Sequence, residues 1–293
     1  MPEFTRAIVI FNPNSTGDSQ GIAKEFCTEL RKLKPNSRVE LKETTHAGHG
    51  EELGYELTKQ GGSDLLLVSV SGDGGYNELV NGVMKAVDEG APAPLCAILP
   101  GGNANDHYSF VAKRPLLAAI AAEGLIKLDL LQVEAGQKRY AHSYVGLGLT
   151  PLVAVELNKH KLSAIKEMWL SLKTFWKFKP FRITEAGKRK TFDSLIMANI
   201  GVMAKHLTLD PDAAPPTDGK FEIIRWPHNH KLRLIQQLLK SAIGKIDSPM
   251  SVESFEFETV DPMPMQLDGE LIKLKAQQKI TVLSAPGKLQ TYR

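Results

Sequence analysis

At 293 residues, with 42% hydrophobic and 24% charged, the chain is too long for one typical domain and reads as two globular ones. A net charge of only +3 gives no argument for nucleic acid, and no nucleic-acid partner is expected. Cys27 and Cys96 stand far apart with no C-x-x-C, which excludes a zinc ribbon or a disulfide framework and points to a reducing cytoplasm.

In chain order, residues 7–11 (AIVIF) read as a short buried strand rather than a signal peptide, because no basic segment and long apolar run open the chain. A helix is expected over 22–33, a strand over 38–43, a helix over 50–59 and a fully buried strand over 64–70 (DLLLVSV). A helix over 76–89, a strand over 95–99 (LCAIL) and a helix over 115–122 follow. Wholly apolar strands between amphipathic helices indicate a parallel sheet covered on both faces. From residue 128 the pattern changes. Strands are expected over 130–134, 139–145, 181–185, 191–199, 221–226, 252–259, 265–267, 271–274 and 279–284, with turns such as EAGQK, PTDGK and LDGE between them. That half reads as an antiparallel sandwich, interrupted by helical insertions at 162–179 and 231–246. The fold expected is α/β, a parallel-sheet domain over 1–128 followed by an antiparallel β-sandwich domain over 129–293.

The first chemical signal is Ser71-Gly72-Asp73-Gly74-Gly75-Tyr76-Asn77-Glu78, directly between a buried strand and a helix. Glycines at such a turn let backbone N–H groups approach a phosphate, and the helix N-terminus adds a favourable field. A tight turn in which Asp73 only caps the helix fits the same residues. A second such turn, Pro100-Gly101-Gly102-Asn103-Ala104-Asn105-Asp106, follows the strand LCAIL. A third polar turn, Asn12-Pro13-Asn14-Ser15-Thr16-Gly17, follows the first strand and reads either as a phosphate contact or as a helix cap. No GxxxxGK[ST] or GxGxxG occurs. Thr217-Asp218-Gly219-Lys220 and Gln266-Leu267-Asp268-Gly269-Glu270 read locally as hairpin turns.

Taken together and in order, these segments resemble the diacylglycerol kinase catalytic-domain family, which includes bacterial lipid kinases and the sphingosine and ceramide kinases. Asn12-Pro13-Asn14-Ser15 resembles NPxSG, SGDGGYNELVNG resembles GGDGTxNEVxNG, and LPGGNANDHYS resembles PxGTxNDFA. Lys127-Leu128-Asp129-Leu130 resembles the IDLG segment, Pro211-Asp212-Ala213 with Asp218-Gly219 resembles PxAxxxDGxLDV, and Asp268-Gly269-Glu270 resembles the terminal DGE. The resemblance implies an ATP-binding domain, a sandwich domain carrying the lipid pocket, and an active cleft between them. It places Asp73, Asp106 and Asp129 in a water-linked magnesium network, Asp218 at a separate structural metal site, and Glu270 as general base. Asp73 is also taken as catalytic. Asn12, Asn14, Ser15, Thr16, Gly72, Gly74, Gly75, Asn77, Glu78, Gly101, Gly102, Asn103 and Asn105 fall on nucleotide-binding turns.

Four positions depart from the family pattern. Gly75 and Asn103 stand where the family has threonines, and His107 and Tyr108 replace the Phe-Ala of NDFA. The Ser-Gly-Asp-Gly opening is nearer the sphingosine kinase branch and Asn105-Asp106 nearer the diacylglycerol branch, so the motifs leave the lipid open. The implied activity is transfer of the γ-phosphate of ATP, with Mg2+, to a hydroxyl of diacylglycerol or a similar membrane lipid. An NAD kinase shares the glycine-aspartate-glycine turn but not NANDHY, and a catalytically silent nucleotide sensor would not need every carboxylate retained.

No stretch approaches about 18 consecutive apolar residues, so the expected access to lipid is peripheral, from the cytoplasmic side. In 161–179, Leu162, Ile165, Trp169, Leu172 and Trp176 recur at spacings of three and four among lysines, and 231–246 repeats the design with Leu232, Ile235, Leu239 and Ile243. Basic amphipathic helices of this kind suit an anionic membrane, although an apolar stripe packed on the sandwich gives the same pattern. A homodimer is left open.

Overall fold

The computed structural model describes residues 4–15, 17–148, 179–204, 207–229 and 249–293, together with 236 and 240. Thr16 and nearly all of the two expected helical insertions therefore lie outside the described residues.

In the first unit, β1 (Arg6–Phe11), β2 (Arg38–Glu43), β3 (Leu65–Ser71) and β4 (Leu95–Pro100) form a parallel sheet in the order β4-β3-β1-β2. The end of β17 (Lys279–Tyr292) runs beside β4 through Gln290 and Leu95. Every residue of β3 is buried, because both faces of a parallel sheet are covered. One face carries Val9, Val68, Val70 and Ala97 against Ala23, Phe26 and Leu30 of α1 (Ser19–Leu33) and Leu116 and Ile120 of α5 (Leu116–Ala121). α1 starts where Asp18 accepts the Gly21 N–H at 2.9 Å, a local cap. The other helices among the described residues of this unit are α2 (His49–Gln60), α3 (Asp73–Asp88) and α4 (Asp106–Val111).

The second unit is antiparallel. Its strands include β7 (Tyr144–Gly148), β8 (Phe181–Glu185), β9 (Lys188–Ala198), β12 (Phe221–Pro227), β14 (Ser254–Thr259), β15 (Met263–Leu267) and β16 (Glu270–Leu274). They run in the order β16-β15-β7-β9-β8-β14 and continue onto the first part of β17, while β12 pairs with β9 and β13 (Met250–Val252) with β12. β14 alternates exposed and buried residues, as a strand with one face on a core requires. Its Phe255 and Phe257 join Leu147, Leu195, Met197, Phe221 and Val282 in that core.

Four expectations are corrected. The expected strand over 139–145 is two, β6 (Lys138–Ala141) and β7, separated by a bend at His142-Ser143. The 252–259 strand is likewise divided, between β13 and β14. α4 was not expected, since its first N–H groups are satisfied by Asp73 rather than by a local cap. The linear division at 128/129 gives way to an interleaved one. The first unit takes residues to Leu130 with Pro215–Gly219 and Ala285–Arg293, and the second takes Leu131–Ala214 with Lys220–Ser284.

Candidate functional site

All three polar turns of the first unit follow the carboxyl ends of parallel strands, where open α/β sheets bind ligands. They interlock through their main chains. Gly101 N donates to Ser71 O at 2.9 Å, and Gly101 O accepts from Gly17 N at 3.2 Å and from the Ser15 hydroxyl. Asn12 Oδ1 accepts from Asn14 N at 2.9 Å, closing the turn after β1 on itself. Asn105 holds the Pro100–Asp106 turn, accepting from Gly102 N at 3.0 Å and donating to Gly102 O at 2.8 Å, with its own backbone at φ 56°. Asn103 is exposed. Gly72 and Gly102 meet face to face, and a Cβ on Gly102 would overlap Gly72 Cα. No larger residue fits at Gly102, so the two turns approach through backbone alone, with Asn105 holding both the N–H and the carbonyl of Gly102.

Gly72 is also the N-cap residue of α3, extended at φ −85° and ψ −176°, and no side chain caps the helix. The sixteen-residue helix thus presents its first turn, with Gly74 and Gly75, beside the close approach of Gly72 and Gly102. That is an anion-binding arrangement.

Gly75 has a physical reason. A Cβ there would lie 2.8 Å from Ser71 Cβ and 2.9 Å from Ser71 Oγ. The Ser71 side chain occupies the space that a residue at 75 would use, with its hydroxyl 2.7 Å from Ser69 Oγ and donating to Gly72 O at 3.0 Å. Where the family pattern reads glycine then threonine, this chain reads serine then glycine, and a hydroxyl stays at the turn.

The carboxylates fall into two groups. Asp73 accepts from Asp106 N at 3.0 Å and His107 N at 3.1 Å, so it ties the Ser71–Glu78 turn to the end of the Pro100–Asp106 turn. Asp106 is itself buried. Asp129 accepts from Gly219 N and Gly287 N, each at 2.7 Å, and clasps two loops, one of which carries the exposed Asp218. Among the described residues, no three His, Cys, Asp or Glu side chains gather as direct metal ligands.

Two residues of the α3 motif are engaged away from the turn. Asn77 is buried and accepts from Asn81 Nδ2 at 3.0 Å. Glu78 accepts from Gly48 N at 3.0 Å and Gly50 N at 3.1 Å, and so caps α2 from a neighbouring helix. In the second unit Glu270 is exposed at the start of β16, directly after the Asp268-Gly269 turn. Sequence reasoning singled out Glu270 and passed over Asp268, which is buried and accepts backbone N–H groups from His142, Ser143 and Tyr144.

A comparison with protein-family profiles matches residues 6–137 to the diacylglycerol kinase catalytic domain. Residues 6–137 belong to the diacylglycerol kinase catalytic domain family. This is a lipid kinase family, and its kinase chemistry implies ATP with a divalent metal. The interlocked turns, α3 and Asp129 fall inside the matched residues, whereas the loops of Gly219 and Gly287 that Asp129 clasps fall outside them.

Solved structures agree on the fold. A diacylglycerol kinase from Bacillus anthracis str. Sterne superposes with a TM-score of 0.74 at 18% identity, covering 100% of this chain and 98% of that one. A protein of the same organism, provisionally assigned as a diacylglycerol kinase, superposes with a TM-score of 0.71 at 18% identity, over 99% and 98% of the two chains. At that identity the likeness speaks for the two-part architecture. No curated protein matches the sequence.

Proposed function

We propose that the chain transfers the γ-phosphate of ATP to a hydroxyl of diacylglycerol or a similar membrane lipid. The observation that carries the reading is the N-terminus of α3, which no side chain caps and which opens with Gly72, Gly74 and Gly75 at the close approach of Gly72 to Gly102. Backbone N–H groups with no Cβ in the way can follow a polyphosphate closely, and helix N-termini favour its charge. Asn12, Asn14, Ser15, Gly101, Asn103 and Asn105 line the same strand ends and complete the nucleotide contacts, and Thr16 is assigned to them from the sequence.

The carboxylates suit a hydrated magnesium ion better than a bare one. Asp73 and Asp129 already hold backbone N–H groups, and each carboxylate keeps lone pairs that can accept hydrogen bonds from metal-bound water. Asp73, Asp106 and Asp129 would hold the ion in this way, and Asp218 would serve a separate structural metal. Magnesium, when bound, neutralises charge on the phosphate oxygens. Glu270 takes the proton of the attacking lipid hydroxyl, a role suited to an exposed carboxylate at the end of a short hairpin. Segments 161–179 and 231–246, basic and amphipathic in sequence, hold the protein on an anionic membrane surface while the lipid is presented.

The test is a panel of hydroxylated lipids (diacylglycerol, phosphatidylglycerol and a sphingoid base) in mixed micelles with γ-labelled ATP. One or more should become labelled, and Glu270→Gln should lower that turnover by at least ~10²-fold while leaving ATP binding nearly intact. Label appearing only on water-soluble NAD, or on no acceptor, would overturn the reading.

A further inference from the structure

The hairpin between β15 and β16 pairs Leu267 with Glu270, so its loop is only Asp268-Gly269. Both loop residues are left-handed, at φ 47° and 100°, as a type I′ turn requires. An aspartate at that position ordinarily faces water. Here Asp268 is 1% exposed, and its carboxylate is directed inward onto the bend between β6 and β7. Oδ1 accepts from Ser143 N at 3.0 Å and Tyr144 N at 2.9 Å, and Oδ2 accepts from His142 N at 2.6 Å. Asp268 N returns a bond to Tyr144 O at 3.2 Å. The turn needs none of these contacts to form, since Asn-Gly or Gly-Gly makes the same hairpin.

The bend is braced in turn. The His142 side chain is fully buried, with Nε2 3.4 Å from Asp268 Oδ2 and Nδ1 2.8 Å from Ser143 Oγ. With a proton on Nε2, the ring turns an N–H toward the carboxylate and leaves Nδ1 to accept from the serine hydroxyl. Asn199, just past β9, donates from Nδ2 to His142 O at 3.1 Å and from its backbone N to Ser143 O at 2.7 Å. Asp268 is therefore fastened to the interior of the second unit through three consecutive buried residues, His142, Ser143 and Tyr144, and Glu270 emerges two residues beyond the fastening point.

We propose that Asp268 and His142 are positioning residues that fix the direction of Glu270, with the carboxylate as anchor and the imidazole holding the anchor in place. The inference rests on Glu270 being the general base. A base must lie within hydrogen-bond reach of the proton it takes, and a misplacement of about 1 Å can cost about 10²-fold in rate. Short hairpin tips flex unless their side chains are locked by a supporting shell.

The experiment is a mutant cycle on the full chain, with kcat, the KM for ATP and direct ATP binding read separately. Asp268→Asn should lower kcat by about 10- to 100-fold with ATP binding and its KM unchanged, and should have no further effect on a Glu270→Gln background. Independent, multiplying losses in the double variant would overturn the proposal, as would a fall in ATP affinity that accounts for the lost activity. Should Asp268→Asn fail to fold, the imidazole variants carry the test. Gln can present a donor near the Nε2 position and Leu cannot, so His142→Gln should keep most of kcat and His142→Leu should lose about tenfold. Equal kcat for these two overturns the proposal. If Glu270→Gln alone is as active as the wild type, the assignment of the base fails. If Glu270→Gln is inactive and Asp268→Asn fully active, only the positioning role fails.

Discussion

Removing Glu78 should destabilise the first unit without any ligand present. Its two carboxylate oxygens accept one N–H each, from Gly48 at 3.0 Å and Gly50 at 3.1 Å, and α2 has no side-chain cap of its own. Hydrogen bonds to a charged group contribute about 1.5–3 kcal/mol each, and a helix cap about 0.5–2 kcal/mol in all. Glu78→Ala should therefore cost about 2–3 kcal/mol, and Glu78→Gln, which keeps one acceptor, about half of that. Urea unfolding followed by far-UV circular dichroism, in nucleotide-free buffer, reads both. Gly50 gives an internal control. A Cβ on it would lie 2.7 Å from Glu78 Oε2, so Gly50→Ala should displace the carboxylate and destabilise the wild type. In the Glu78→Ala background the bond is already lost, and the added cost of Gly50→Ala should shrink by at least ~1 kcal/mol. Additive losses, or a Glu78→Ala stability within about 0.5 kcal/mol of wild type, would refute the cap. A variant that weakened ATP binding while leaving the apo protein unchanged would return Glu78 to the nucleotide.

Asp129→Asn should loosen both loops that it clasps, raising amide exchange at Gly219 and Gly287 together already in magnesium-free buffer. Gly75→Thr should destabilise the protein by about 1–3 kcal/mol through the clash with Ser71, while Ser71→Gly/Gly75→Thr should recover most of that in urea unfolding. Burial pushes the Cys96 thiol up to about 12 and also raises Cys27, so both should resist a thiol reagent at pH 8 until the protein is unfolded. The same shift has a sign. Between pH 9 and 12 the folded state keeps the Cys96 proton that the unfolded state loses. Stability should therefore fall as pH rises through that window, by up to about 1.4 kcal/mol per pH unit from this group, and Cys96→Ala should remove that component of the slope.

The local physics of the chain determined much of this protein. Continuous apolar runs such as DLLLVSV announce a strand buried on both faces, and the alternation in SFEFET announces one buried on a single face, because side-chain direction repeats with the backbone. The glycine turns and the DGE segment were legible for the same reason, since each uses residue types that few other backbone conformations demand. The roles of the acidic residues were not legible. Asp73 and Glu78 stand five apart in one motif, yet Asp73 starts α4 and Glu78 caps α2, each by bonding N–H groups about thirty positions away. Asp129 gathers Gly219 and Gly287 from 90 and 158 positions away. Nor could composition show that Pro215–Gly219 and Ala285–Arg293 belong with the first unit. A carboxylate has the same local sequence signature whether it faces a ligand or an amide of a distant turn. Which partner it takes is settled only when the folded chain brings an N–H group within 3 Å and removes the water that would otherwise satisfy both.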